Sequence, residues 1–356
     1  MRERNSNIEI LRIIAIIGIT FYHIRLWGGY SFESITMNLI LLDMFSMFGK
    51  IGVNLFAIIS GFYLFNTPFR FEKMLKVWLQ ILLFSIGLGI ISFAFSFFNN
   101  NIDLSIKELV KSVFPITLEN YWYGCAYLLL ILFAPFYNKL ISVLDNQQYK
   151  LFVSMIVFVW CIIPTISFRL ENAYGINNYL SFFVMYFIGS YIRVYSPKWK
   201  LKYAKVFLLF FVILQISFPA IIALVLPSAY MTRATYIRYA NSVSSVAITI
   251  LIFYLFENRK PKNNVIINRI AKASFSLYLI QEHIVFRSIL WRQILKVTFY
   301  ESSNSFFMIF HLIGGVFVLY LMACLCEFLC GFFITPIVNF LLPLKKVSFV
   351  KRLEEI

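Results

Sequence analysis

Charged residues are scarce in this chain. Asp, Glu, Lys and Arg make up only 13% of its 356 residues, whereas soluble domains carry about 25%. The hydrophobic fraction is 61% and the mean hydropathy is +0.80, which predicts an integral membrane protein. Because a transmembrane helix needs about 20 apolar residues, the length fits about ten spans and no large soluble domain.

Cysteines are few as well, and they indicate neither a disulfide framework nor a metal centre. All five lie within apolar segments, as expected of small residues buried between helices. We therefore expect no metal and no permanently bound cofactor. Arg12 interrupts the first apolar run, which argues against a cleavable signal peptide and favours a first span that stays in the membrane.

Acidic residues are half as numerous as basic ones, 16 against 32, and the formal net charge is +16. Such a charge would fit a nucleic-acid-binding protein, but the basic residues cluster in short loops between apolar runs, as the positive-inside rule predicts. Of them, 21 fall on the side of both tails and 7 in the opposite loops. We therefore expect no nucleic-acid binding and both termini in the cytoplasm.

The apolar runs predict an all-α integral membrane bundle of about ten transmembrane helices over residues 1–344, followed by a short basic cytoplasmic tail over 345–356. In the longest outer loop, 98–120, apolar residues recur at helical spacing from Ile106 to Val113, which predicts a helix lying on the outer surface. The predicted spans lie near 8–27, 45–65, 74–97, 121–143, 150–168, 179–195, 204–227, 241–257, 271–292 and 305–331.

Two ionisable side chains, Arg12 and His23, stand eleven residues apart in the first span. At about 100° per residue they share one helix face, roughly 16 Å apart along the axis. Such side chains usually face a protein interior or a wet cavity, because exposure to lipid is costly. His23 could move protons near neutral pH, or it could be a neutral imidazole bonded to a backbone carbonyl.

Basic residues also follow the second span, at Arg70, Lys73 and Lys76. Their spacing of three places them along one helix face, where fixed cations would match the several phosphates of a cytosolic ligand. The alternative is ordinary positive-inside charge.

Three further polar residues are candidates for catalysis or acceptor binding. Arg25 closely follows His23, where the mouth of a cavity is expected, and Lys50 and Asn54 make the second span unusually polar. Small residues in the same span allow close helix approach: Gly49, Gly52 and Gly61.

The ninth predicted span carries Gln281, Glu282, His283 and Arg287. Four polar side chains in one span are difficult to explain by packing alone. The Glu282 carboxylate could orient a histidine or balance an arginine, and His283 and Arg287 are candidates for catalysis or acceptor binding. A structural Glu282–Arg287 ion pair is the alternative, although the i, i+5 spacing is poor geometry within one helix.

Four segments, in this order, resemble the acyltransferase-3 family of polytopic membrane acyltransferases that decorate surface glycans. They are the arginine-to-histidine run Arg4–His23, the pattern Ile51–Leu64, the aromatic stretch Tyr121–Leu140 and the motif Ser274–Ile280. Together they extend over nearly the whole chain. The resemblance implies a multi-pass protein of a bacterial-type cell membrane that transfers an acyl group, usually acetyl, from cytosolic acyl-CoA to a hydroxyl of an extracytoplasmic polysaccharide or lipid-linked glycan.

The family's invariant histidine corresponds to His23. Its inner basic pair corresponds to Arg70 with Lys73, or to Lys73 with Lys76. Where the ninth-span motif usually has a histidine, this chain has Gln281. Either that histidine is dispensable, or His283 has taken over its task.

These observations combine into one hypothesis, a helical bundle with a single catalytic tunnel. Acyl-CoA would bind Arg12, Arg70, Lys73 and Lys76 through its phosphates. His23 would act as general base or carry the acyl group, and Glu282 would orient or stabilise a histidine.

Two alternatives come from other classes. One is a transporter or flippase of lipid-linked oligosaccharides, which would need alternating access and broken helices near the bilayer centre. The other is a glycan polymerase, which would normally present a large outer loop with catalytic arginine or acidic residues.

Overall fold

A computed structural model describes residues 4–98, 105–170, 178–195 and 202–355. The residues in these ranges are 80% helical and include no strand, which confirms the all-α prediction. In the same ranges, eight helical segments are long and apolar enough to cross a membrane. The charge count that placed both termini in the cytoplasm includes Arg2, Lys198 and Lys200, which lie outside the described residues.

The helices follow one another with few long connections. Two π-helical turns, Phe158–Ile162 and Ile289–Ile294, continue the helices Asn146–Val157 and Phe286–Ser288. The α-helices are α1 (Ser6–Trp27), α2 (Met37–Ser46), α3 (Gly49–Leu64), α4 (Phe71–Phe98), α5 (Ile106–Val113), α6 (Trp122–Val143), α7 (Asn146–Val157), α8 (Ile163–Ile166), α9 (Asn178–Tyr195), α10 (Ala204–Val225), α11 (Tyr230–Arg233), α12 (Val243–Glu257), α13 (Val265–Glu282), α14 (Phe286–Ser288), α15 (Ser305–Leu341) and α16 (Ser348–Glu355).

Each of the ten predicted spans coincides with a helix, but three differ in extent. The second predicted span is two helices, because α2 begins at Met37 and the backbone breaks between Ser46 and Gly49. The ninth breaks after Glu282, and the last continues to Leu341. Helices α9 and α13 are not among the eight membrane-length apolar segments, and three charged residues interrupt the apolar character of α13.

Contacts divide the chain into two compact units. Unit 1 comprises Met1–Tyr63, Leu144–Ala271 and Val297–Val316, and unit 2 comprises Leu64–Val143, Lys272–Lys296 and Phe317–Ile356. In unit 1, α10 packs against α2 and α12, and α1 packs against the same two helices. In unit 2, α4 packs against α5, α6 and α14.

The predicted surface helix and the tail both belong to unit 2. Helix α5 begins with a capping box between Ser105 and Glu108, and its apolar residues Ile106, Val110 and Val113 are exposed, as expected of a helix that faces lipid. The expected tail is helical. Leu353 of α16 is buried in a cluster with Phe69, Phe71, Leu75, Leu79, Ile131 and Val338.

Close helix approach in unit 1 depends on glycine, as the sequence predicts. A Cβ atom at Gly52 of α3 would collide with the backbone carbonyl of Ala15 in α1, and one at Gly61 would collide with the carbonyl of Tyr186 in α9. Because these obstacles are backbone atoms, neither contact can be relieved by a side-chain rotation. The pairing of α3 with both neighbours therefore requires these two glycines.

Replacement of Gly52 by alanine should separate α1 from α3 and lower the free energy of unfolding by about 1–3 kcal/mol. Thermal unfolding of the detergent-purified protein measures this effect. The matched control is Gly314→Ala, since a Cβ atom at Gly314 would meet nothing within 4 Å and alanine favours the helix by up to about 1 kcal/mol. Equal unfolding temperatures for the two variants would contradict the close packing at Gly52.

Candidate active site

Helix α1 carries Arg12 and His23 on one continuous helix, as predicted. The uninterrupted geometry places both on one face. His23 is 5% exposed and therefore faces the interior of the protein. Ile16 and Ile19, also buried, occupy the same face between them, so these two apolar side chains separate the arginine from the histidine along α1.

Arg12 belongs to an ionic cluster at the start of α1. The buried Glu9 carboxylate accepts a hydrogen bond from Arg4 Nε at 3.1 Å and lies 3.5 Å from an Arg12 guanidinium nitrogen. Glu9 thus neutralises part of the positive charge of Arg12, which the sequence analysis predicts to bind acyl-CoA. Binding of acyl-CoA phosphates by Arg12 stays a prediction.

Arg25 pairs with a buried carboxylate on α2. Its Nε atom donates to Asp43 Oδ1 at 2.7 Å, and the Tyr230 hydroxyl donates to Asp43 Oδ2 at 3.0 Å. Asp43 is 2% exposed, so both of its oxygens are satisfied within the protein. The pair connects α1, α2 and α11.

Two further cations lie near the ring of Tyr22, the residue that precedes His23. The Lys50 ammonium lies 5.6 Å from its centroid and the Arg238 guanidinium 4.9 Å, both within the range of cation–π attraction. The Tyr22 and His23 ring centroids are 5.7 Å apart. The structure therefore brings three predicted residues, His23, Lys50 and Arg25, into unit 1 beside the unpredicted Arg238.

Asn54, another residue predicted to take part in catalysis or acceptor binding, is buried and forms a hydrogen bond with the backbone of a neighbouring segment. Its amide donates to the carbonyl of Ala240 at 2.8 Å. That bond ties α3 to the segment before α12, which follows directly after Arg238. Asn54 thus has a structural contact, and its direct role in acceptor binding stays a prediction.

The basic stripe of unit 2 lines a pocket. Arg70, Lys73 and Lys76 are exposed and form one side of a cavity of about 320 Å³. Lys76 also pairs with Glu72 at 2.5 Å, and both side chains are about half exposed. The remaining lining is mostly apolar and aromatic: Leu64, Thr67, Pro68, Phe69, Val77, Tyr127, Ile131, Ala134 and Pro135.

A second, more polar cavity of about 430 Å³ adjoins the first. It shares Thr67, Pro68 and Pro135 with that pocket and adds Asn66, Asn138, Lys139 and Ser142. Asn138 Nδ2 donates to the carbonyl of Leu64 at 3.0 Å, which fixes the α3–α4 connection over α6. Together the two cavities form a groove with cations, amides and an apolar floor.

Glu282 and Arg287 form an ion pair at 3.9 Å. Their spacing is poor within one helix, but α13 ends at Glu282 and the next helix begins only at Phe286. The break in the backbone therefore allows Glu282 and Arg287 to form the structural ion pair, despite their spacing of five residues. The orientation of a histidine by Glu282 stays a prediction.

His283 follows the last residue of α13 and accepts the free N–H groups at the start of α14. Its Nδ1 atom accepts the backbone N–H groups of Val285 at 3.2 Å and Phe286 at 3.0 Å. Because Nδ1 accepts, the proton lies on Nε2, which contacts the Ser85 carbonyl at 3.0 Å and the Ser112 hydroxyl at 3.3 Å. Both ring nitrogens are engaged, which favours a structural role over the proposed takeover of a catalytic task.

Glu327 is a partly buried carboxylate that the sequence analysis did not identify. Ser276 Oγ donates to its Oε2 atom at 2.5 Å and Gln80 Nε2 donates to the same atom at 2.7 Å. The bonds join α4, α13 and α15 within unit 2. The sequence signal that indicates such a site is that Glu327 is the single acidic residue in the long apolar run of α15.

The late serine–tyrosine–leucine motif connects helices as well. Ser274 Oγ lies 3.2 Å from the Tyr320 hydroxyl, and the backbone N–H of Tyr123 donates to the Tyr278 hydroxyl at 3.1 Å. Gln281, which follows the motif, is fully buried, and its amide atoms have no hydrogen-bond partner among the described residues.

A family model described as an acyltransferase domain, that of the acyltransferase-3 family, matches residues 5–342 of the 356. Since this match covers nearly the whole chain, the protein belongs to that family and is a membrane acyltransferase. The predicted resemblance is therefore confirmed. Searches of curated proteins and of solved structures find no significant match.

Replacement of His283 by alanine should destabilise unit 2, because it leaves the buried N–H groups of Val285 and Phe286, at the start of α14, without acceptors. We expect a loss of about 2–4 kcal/mol in the free energy of unfolding, measured by thermal unfolding of the purified protein. His311→Ala, which removes a partly buried ring beside Tyr300, is the control. Normal stability with lost acyl transfer would instead assign His283 to catalysis.

Proposed function

We propose that this acyltransferase is an O-acetyltransferase of the cell membrane. It moves an acetyl group from cytosolic acetyl-CoA to a hydroxyl of a polysaccharide or lipid-linked glycan on the outer side. The groove beside Arg70, Lys73 and Lys76 is the observation that carries the proposal, because its chemistry matches the two ends of a coenzyme A donor.

The cationic side of the groove suits the phosphates of the donor. Arg70, Lys73 and Lys76 are held at fixed spacing at the start of α4, and charge-assisted hydrogen bonds to phosphate are stronger than those between neutral groups. The half-exposed Glu72–Lys76 pair is an exposed ion pair of the kind that contributes at most about 1 kcal/mol. A phosphate can therefore replace Glu72 on Lys76 at little cost.

The floor of the groove suits the pantetheine arm. Tyr127, Ile131 and Ala134 present an apolar and aromatic surface, and binding sites for small molecules usually combine such a surface with a few polar groups. The adjoining cavity offers Asn66, Asn138 and Lys139 for the polar nucleotide end. In the proposed complex, the cations would face the donor's phosphates and the apolar surface would face its methylene groups.

His23 is the proposed general base. Its imidazole would take the proton from the acceptor hydroxyl while the oxygen attacks the thioester carbonyl. A C–O bond forms, the C–S bond breaks, and the coenzyme A thiolate leaves and recovers the proton from the imidazolium. In the alternative with an acyl-enzyme, the imidazole nitrogen attacks the thioester carbonyl and displaces the coenzyme A thiolate. The acceptor hydroxyl then attacks the acyl-imidazole, which releases the imidazole, and the hydroxyl proton passes to the thiolate.

Replacement of His23 by alanine should reduce transfer of label from radiolabelled acetyl-CoA to glycan by at least about a hundredfold, because general-base catalysis supplies about that much. The assay uses membranes or proteoliposomes that contain the full chain. His23→Asn, which keeps a polar side chain, tests whether a simple packing defect explains the loss, and His311→Ala is the unaffected control. Full transfer by either His23 variant would contradict the mechanism.

Replacement of Lys73 or Lys76 by glutamine should raise KM for acetyl-CoA by about tenfold or more, since each removes a charged hydrogen bond to phosphate. The value of kcat should change little, because the contact acts on binding. Lys107→Gln on the exposed face of α5 is the matched control. An unchanged KM in both variants would place the donor elsewhere, and glycan transport without any labelled product would favour the flippase alternative.

A further inference from the structure

The C-terminal helix α16 packs against the residues that form the floor of the groove in unit 2. Its Leu353 is 5% exposed and belongs to the same buried cluster as Phe69 and Ile131. Phe69 and Ile131 also line the cavity of about 320 Å³ beside the basic stripe. The tail therefore supports the apolar floor of the groove through the hydrophobic cluster that both share.

A carboxylate of the same helix holds the first turn of α4. Glu354 Oε1 accepts the backbone N–H of Phe71, the first residue of α4, at 3.4 Å, and Glu354 Oε2 pairs with Lys345 Nζ at 2.8 Å. An N–H group in the first turn of a helix has no carbonyl partner within that helix, so Glu354 satisfies it from outside. Arg70 precedes Phe71 and Lys73 follows it by two residues. The contact therefore fixes the backbone from which two cations of the groove extend.

Both contacts come from a part of the chain that the family match does not include. The matched acyltransferase domain ends at residue 342, so Leu353 and Glu354 lie outside it. The sequence analysis likewise treats 345–356 as a tail separate from the transmembrane domain. A contribution of this tail to the donor site is therefore not implied by membership of the family, and it follows only from the packing of α16.

We infer that α16 positions the donor site, with Leu353 and Glu354 as its positioning residues. The inference rests on the proposed function, because it concerns how the groove holds acetyl-CoA. While α16 is docked, the floor at Phe69 and the backbone at Arg70 are held in place before the donor arrives, which lowers the ordering cost of binding. By linkage, a donor that binds more tightly to the docked form stabilises the docked tail by the same factor.

Two variants of the full-length protein test the effect of the tail on the donor. Leu353→Ser removes the apolar contact, and Glu354→Ala removes the acceptor of the Phe71 N–H. We expect each to raise KM for acetyl-CoA about fivefold or more and to leave kcat within about twofold, because the tail acts on donor binding. Leu353→Met, which conserves volume, and Lys351→Gln, on the exposed face of α16, should keep the wild-type KM. Unfolding temperatures show whether each variant is folded.

Limited proteolysis in nanodiscs tests the same coupling from the other side. Lys351 and Arg352 are exposed on α16, and trypsin can cleave after them only when the helix opens locally. Saturating coenzyme A should slow this cleavage by about fivefold or more. Cleavage after Lys262, an exposed residue of unit 1, should keep its rate and is the internal control. A tail that only stabilised the fold would not respond to the donor in this way.

Direct binding of coenzyme A to the wild-type protein, measured by calorimetry, separates this inference from the proposed function. If coenzyme A binds, then an unchanged KM in both folded variants, a loss of kcat without a change in KM, or a tail that the ligand does not protect would overturn the inference alone. If coenzyme A does not bind and no label is transferred from acetyl-CoA, the proposed function fails and the inference fails with it.

Discussion

A carboxylate inside a membrane-spanning helix is stable only when other groups compensate its charge, and this constraint organises both units. In unit 1, Asp43 of α2 joins Arg25 of α1 to Tyr230 of α11. In unit 2, Glu327 of α15 joins α4 and α13 through their polar side chains. At Asp43, loss of Arg25 would leave a buried charge uncompensated, which costs more than the pair contributes. Each carboxylate therefore fixes the mutual position of three helices.

The same constraint explains where the helices can break. Backbone groups released within a membrane must find partners inside the protein. Between α2 and α3, the freed carbonyl of Met47 accepts from Gln215 Nε2 at 3.2 Å. After α13, His283 receives two freed N–H groups. At both breaks, a buried polar side chain forms hydrogen bonds with the backbone groups that the helices leave without partners.

Much of the fold could be predicted because long apolar runs indicate helices directly. That Arg12 and His23 lie on the same face of α1 likewise follows from helical periodicity. The breaks could not be predicted, because they lack the usual signals. Pro135, Pro219 and Pro336 lie inside continuous helices. In contrast, the breaks after Ser46 and Glu282 contain neither glycine nor proline. The partner of Arg25 could not be predicted either, since only helix packing brings Asp43, which also accepts from Tyr230, to Arg25.

Exposure separates the cations that can bind ligands from those that hold the fold. The side chains of Lys76 and Glu72 are 49% and 51% exposed, so water screens their attraction and an incoming phosphate can compete for the lysine. Asp43 has a side chain only 3% exposed, and a ligand that removed Arg25 from it would leave a buried carboxylate without its cation. The groove of unit 2 is thus suited to a donor that binds and leaves with each turnover, whereas Arg25 is committed to the structure.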